Sequence, residues 1–109
     1  MMDKEKYEEG IRYIADAYGL VDQAWKLVEE LSELLVAVMH DDRENIAEEM
    51  ADVRIMIDQV AYLMDIRPVV EGYVKSKIDR TLYEMEGWWR RSQVVARWSQ
   101  DGCNMEVEE

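Results

Sequence analysis

This chain of 109 residues has a single cysteine, a single histidine and a single proline, and each scarcity removes a class of explanation. One thiol, Cys103, excludes an intramolecular disulfide and fits a reducing compartment; it reads as an ordinary tail thiol. One imidazole, His40, excludes a zinc site built from several histidines of one chain. Ligation by carboxylates favours hard cations instead. His40 falls at an expected helix end, near the negative pole of the backbone dipole. No segment carries the continuous apolar run needed to span a bilayer. The opening Met1-Met2-Asp3-Lys4-Glu5-Lys6 lacks the apolar centre of a signal peptide, so a cytoplasmic protein is expected. Basic residues are also scarce: 13 Lys and Arg face 25 Asp and Glu, for a net charge of −12. That balance opposes binding to a nucleic-acid polymer or an anionic membrane. A small phosphate ester remains open to it, because a bound cation reverses the local sign of an acidic pocket. There is no repeat, no glycine-rich phosphate loop, no nucleophile motif and no strand signal.

The signals that are present are helical throughout. Tyr7, Ile11 and Ile14 share one side of a first helix over about Asp3 to Tyr18, and Gly19 is its stop. A second helix spans about Val21 to His40, with Leu27, Leu31, Leu35 and Val38 as its apolar centre. Asp41 or Asp42 caps a third, which continues to about Met64 with Ile46, Val53, Ile57, Val60 and Met64 on its core-facing stripe. Arg67-Pro68 marks the next break. A fourth helix follows with Val70, Val74, Ile78, Leu82 and Met85 on one face, weakened at Gly87. The expected organisation is an all-α four-helix domain over residues 1–87, followed by a Trp-rich segment and acidic tail over 88–109. At this length the core is small for independent stability, and multimerisation would help it.

Two acidic groups stand out. Glu30 and Glu33 on the second helix, and Glu49 and Asp52 on the third, are i, i+3 pairs, and each pair can act as a two-pronged oxygen clamp. Glu49 falls inside the apolar stripe of its helix, where an ionised carboxylate needs a partner. Glu33 and Glu49 each lie about eight residues from the turn near Asp41, roughly 12 Å along antiparallel helices, so the clamps are expected to be level. The pattern suits a divalent cation, Mg²⁺ with Mn²⁺ as a second choice. The plainer alternative is a solvated acidic face. Lys26, four residues before Glu30, favours that alternative slightly, as half of a surface ion pair worth about 0.3–0.5 kcal/mol.

Lys77 and Arg80 form a basic i, i+3 pair on the fourth helix. They serve phosphate oxygens if they turn toward the acids, or a solvated face beside Glu84 if they do not. Trp88, Trp89, Val94, Val95 and Trp98, interleaved with Arg90, Arg91 and Arg97, suggest a short amphipathic helix. Subunit packing is its first role and stacking on a nucleotide base its second, and the acidic tail beyond it is expected to be disordered.

Taken in order, Tyr18-Gly19, Gln23, Glu29-Glu30-Leu31-Ser32-Glu33-Leu34, Asn45-Ile46-Ala47-Glu48-Glu49-Met50-Ala51-Asp52-Val53 and Lys77-Ile78-Asp79-Arg80 resemble the MazG-like all-α nucleoside triphosphate pyrophosphohydrolases. The likeness covers roughly Tyr18 to Met85 and is strongest to small single-domain phage and bacterial members. It implies an EExxE motif followed by ExxD, with fifteen residues between Glu33 and Glu49. By that resemblance Glu30, Glu33, Glu49 and Asp52 are the catalytic metal ligands, and Lys77, Arg80 and Gln23 bind substrate. Glu29 is a possible base or a residue behind the ligands. It implies hydrolysis of a (d)NTP to (d)NMP and pyrophosphate, nucleotide-pool house-cleaning, and a homodimer or homotetramer. Asp79 departs from the family pattern and lies on the opposite edge of its helix from Lys77, so it is left out of the site. The rival reading is a non-catalytic, metal-binding helical assembly or regulatory module.

Overall fold

The computed structural model describes residues 2–101, and side chains through 93. Four α-helices follow one another with no strand among the described residues: α1 (Lys4–Tyr18), α2 (Leu20–His40), α3 (Arg43–Leu63) and α4 (Arg67–Asp101). The chain divides into two compact units, Met1–Val70 and Glu71–Glu109. No described helix is long and apolar enough to cross a membrane.

The helix ends follow local chemistry. Asp3 caps α1 by accepting the Lys6 amide at 2.8 Å, and Asp42 caps α3 by accepting the Asn45 amide at 3.3 Å. Such a cap is worth about 1 kcal/mol. Gly19 stands alone between α1 and α2 at φ 87°, a left-handed conformation that a side chain would strain. Asp41 follows α2 at φ 52°. With Asp42 it forms the short link that returns α3 beside α2, and aspartate tolerates this region better than most residues. His40 is the last residue of α2.

In the first unit α3 packs against both α1 and α2. The buried apolar residues are small or few: Ile11 and Ala15 from α1, Ala37 from α2, and Val53, Met56 and Ala61 from α3. α2 also buries Gln23 and Glu30, and α3 buries Gln59. Gln23, Glu30 and Ala37 recur every seven residues, so they form one nearly straight seam along α2.

This corrects the expected orientation of α2. Leu31, Leu35 and Val38 are 47%, 62% and 52% exposed, whereas Glu30 lies on the buried line. A hydrophobic stripe reports that a surface is apolar, not which surface meets a neighbour within the same chain. The shift on α3 is smaller. Val53 is buried as expected, but Ile57 and Met64 are exposed and Met56 and Gln59 take the interior. On α1, Ile14 is exposed and Ala15 buried.

Polar contacts hold α1 to α3 and to the first turn of α4. Arg67 grips Glu8 with both guanidinium nitrogens, the second at 2.9 Å, and lies 4.0 Å from Asp58. Tyr7 donates to Asp58, and Tyr62 donates to Asp16 at 3.0 Å. Burial first, then the Asp58 carboxylate, raises the Tyr7 phenol to about 12.

The described part of the second unit is the helix from Glu71 to Asp101. α4 continues without a break through Gly87 to Asp101, so the separate short helix expected after Trp88 is instead part of one 35-residue helix. The expected domain boundary at Gly87 falls inside it. An interior glycine weakens a helix by only about 1 kcal/mol relative to alanine, and here Glu86 and Arg90 pair across it at 2.6 Å. The side chains of Val94, Val95, Arg97 and Trp98, Cys103, and the acidic tail lie outside the described residues.

Candidate metal centre between α2 and α3

The register between α2 and α3 is marked by a buried amide pair. Gln23 donates through Nε2 to Oε1 of Gln59 at 2.6 Å, and Gln59 turns its own Nε2 to the Met56 sulfur at 3.8 Å. Seven residues on from Gln23 is Glu30, and seven back from Gln59 is Asp52. In antiparallel helices those equal steps put the two acids opposite one another.

The carboxylates meet in two overlapping groups. Glu30, Glu49 and Asp52 bring one oxygen each within 4.8 Å of one another, and so do Glu29, Glu30 and Glu33. Glu30 belongs to both. Its Oε2 and Oε2 of Glu49 are buried without a hydrogen-bond partner among the described residues. Two carboxylate oxygens cannot bond to each other unless one carries a proton. Burying them without a donor or a cation is costly.

The acid–base behaviour follows from this crowding. Burial, then the facing Glu30 and Glu33, raises the Glu49 carboxyl from 4.5 to about 7. Burial pushes Glu30 the same way, but the hydrogen bond and charge of the Lys26 ammonium outweigh it and hold Glu30 below the usual range. The Lys26 ammonium lies 3.2 Å from Oε1 of Glu30 and 3.5 Å from Oε1 of Glu29. Its own pKa is raised, first by the bond to Glu30.

All four residues of the two clamps therefore meet at the seam, with Glu30 at their centre. Glu29 is exposed beside them and paired to Lys26. Gln23 lies on the Glu30 line, but it is 6% exposed and its amide is engaged with Gln59. Lys77 and Arg80 lie in the second unit; both are exposed, and Arg80 sits 3.7 Å from Glu84. Asp79 pairs with Lys75 at 2.8 Å. The Lys26–Glu30 pair expected from their spacing of four residues is present, but with Glu30 buried and not at the surface.

The donor set fits a hard cation. It offers only carboxylate oxygens, two of them buried and unpartnered, and a divalent ion would satisfy both. The open flank continues into a shallow concavity of about 320 Å³ lined by Ser32, Glu33, Val36, Asn45 and Glu49.

A family profile described as phosphoribosyl-ATP pyrophosphohydrolase, PRA-PH, matches residues 5–69. That span is more than half of the chain and contains every carboxylate of the cluster, ending before Lys77. No curated protein and no solved structure matches the chain. The match agrees with the sequence resemblance at the level of an all-α nucleotide pyrophosphohydrolase, a hydrolase of phosphoric anhydrides, while naming a sister family to the MazG-like enzymes. With its helices and its acidic seam both inside the matched span, the chain belongs to the phosphoribosyl-ATP pyrophosphohydrolase family.

Proposed function

We propose that the protein is a Mg²⁺-dependent pyrophosphohydrolase that cleaves the bond between the α- and β-phosphates of a nucleotide 5′-triphosphate. The products are the monophosphate and pyrophosphate. The observation that carries this reading is the pair of buried, donorless oxygens on Glu30 and Glu49. Ordinary or modified (d)NTPs are the first substrate class, in a house-cleaning role. Phosphoribosyl-ATP, named by the family, presents the same triphosphate chemistry.

Glu30, Glu33, Glu49 and Asp52 would hold the cation. When bound, it would neutralise phosphate charge, lower the pKa of the attacking water and stabilise the departing pyrophosphate. The chain's own residues do the positioning. Glu30 is held by burial and by Lys26, and the Gln23–Gln59 amide pair fixes the helix register behind it. Glu29, exposed beside the cluster, would take a proton from the attacking water. Val36, Ser32 and Asn45 offer the concavity an apolar wall and polar edges for the rest of the nucleotide. Lys77 and Arg80 remain candidates for the phosphates. The protein works as a homodimer or homotetramer, with the exposed Leu31, Leu35 and Val38 face of α2 covered by a second copy.

The test is incubation of purified protein with Mg²⁺ and a panel containing the (d)NTPs and phosphoribosyl-ATP, with monophosphate and pyrophosphate as readout. Glu49→Gln and Asp52→Asn should abolish product from whichever substrate is used. Metal-dependent thermal stabilisation with no turnover across the panel would instead favour a binding module.

A further inference from the structure

We propose that Lys26 is a substrate-binding residue that exchanges partners: it guards Glu30 while the site is metal-free and transfers to a triphosphate oxygen when a divalent cation binds the cluster. The inference rests on the functional reading above and adds a residue that neither the family resemblance nor the acidic motifs assign.

The two partners of this ion pair differ in mobility. The Glu30 side chain is 7% exposed and packed into the α2–α3 seam, whereas the Lys26 side chain is 46% exposed. An ammonium on a flexible four-carbon stem can move; a carboxylate held in a packed seam cannot. Lys26 stands one helical turn before Glu30, 3.2 Å from its carboxylate and 3.5 Å from the exposed Glu29. Among the described residues of the first unit, it is the cation paired to these carboxylates.

Charge supplies the direction of exchange. A divalent cation drawn to Glu30 competes with Lys26 for the same carboxylate and repels the ammonium. The displaced charge then faces a new anion in the form of the phosphate chain that arrives with the cation. Charge-assisted bonds to phosphate oxygens are stronger than neutral ones, and lysine serves phosphate as a mobile point charge. Metal binding and phosphate binding should therefore respond to Lys26 with opposite signs, which a purely structural ion pair would not produce.

The test uses the full chain as wild type, Lys26→Met and Lys26→Arg, each first shown to melt like the wild type. Calorimetric titration with Mn²⁺ alone should show Lys26→Met binding the metal about twofold to fivefold more tightly than wild type, and an unchanged Mn²⁺ affinity overturns the exchange. Titration with inorganic tripolyphosphate at saturating Mn²⁺ should show its affinity falling about tenfold in Lys26→Met. Lys26→Arg should restore most of that loss. With the best nucleotide substrate, Lys26→Met should raise KM about tenfold and leave kcat within about threefold. Tripolyphosphate affinity unchanged in Lys26→Met overturns the proposal. So does a fall in Mn²⁺ affinity parallel to the fall in tripolyphosphate affinity, because Lys26 would then only position Glu30. A wild-type protein that binds neither probe sinks the functional reading itself, a result distinct from a failure confined to the variants.

Discussion

Glu30 on α2 and Glu49 on α3 each bury one carboxylate oxygen in the seam between their helices, and neither oxygen meets a donor among the described residues. The two acids repel in the absence of metal, and this helix pair retains them at its centre. Replacing one with its amide gives the other a donor. Glu49→Gln should therefore raise the melting temperature of the metal-free protein at about pH 8 by a few degrees. It should also remove the stabilisation that Mn²⁺ gives the wild type. Scanning calorimetry with and without Mn²⁺ checks both effects. A metal-free variant less stable than wild type would show that the seam is not strained by charge.

The pH dependence turns on the same residue. Burial and then Glu30 and Glu33 raise the folded Glu49 pKa to about 7, while the ordinary value is 4.5. Between those values the folded chain keeps a proton that the unfolded chain has lost, so stability falls as pH rises. The contribution of Glu49 is complete below about pH 4.5 and is lost as the pH climbs through about 7. Glu8, lowered by its bond to Arg67, and Glu30, lowered by Lys26 against the pull of burial, act oppositely. Their contribution is present above the usual carboxylate range and is lost as pH falls. The metal-free melting temperature should peak in mild acid and decline toward about pH 8, and saturating Mn²⁺ should flatten the decline because metal replaces the proton. Metal titrations in buffers of different ionisation enthalpy should report proton release near pH 6.5. A metal-free melting temperature that climbs steadily from about pH 5.5 to 8 contradicts the account.

Much of this arrangement was legible in the sequence. Gly19, Asp42 and Pro68 punctuate the helices close to where the structure ends them, and equal distances from the Asp41–Asp42 turn bring Glu33 level with Glu49. Two things were not legible. Periodicity finds an apolar stripe on α2, but leucines that wait for another surface read the same as leucines packed within the unit; the structure seats Gln23 and Glu30 inside and leaves Leu31 and Leu35 out. The inequality of the Lys26–Glu30 pair was also hidden. An i, i+4 pair with glutamate is ordinary on any helix, and only the burial of Glu30 makes this one unequal.

The Gln23–Gln59 bond should behave as a buried polar pair. Gln59 is 2% exposed and Gln23 6%, and neither can turn to water when its partner is lost. Gln59→Leu or Gln23→Leu alone should each destabilise by about 1–3 kcal/mol, while the double replacement should cost less than the sum of the two. Urea denaturation of the four proteins closes that cycle. If Gln23 also touches substrate, Gln23→Leu will raise KM beyond any effect of Gln59→Leu, which separates packing from binding. Additive losses would mean that the two amides do not depend on one another.

The exposed leucine face of α2 tests the expected assembly. Leu31, Leu35 and Val38 lie on one side of the helix, with Leu20 and Val28 continuing the surface. A contiguous apolar surface of this kind is unusual on a small monomer unless something covers it. A second copy meeting the face would need to bury about 800 Å² per partner to make a stable dimer. Leu35→Glu puts a charge in the middle of that face while leaving the Gln23–Glu30–Ala37 seam untouched. By light scattering, the wild type should run as a dimer or tetramer at micromolar concentration. The variant should shift toward monomer and melt lower, because assembly stabilises only the folded chain. It should still bind Mn²⁺, since the carboxylates of the cluster lie within one unit of one chain. A wild type that stays monomeric at high concentration, or a Leu35→Glu variant of unchanged mass, would mean that copies of this chain do not meet through α2.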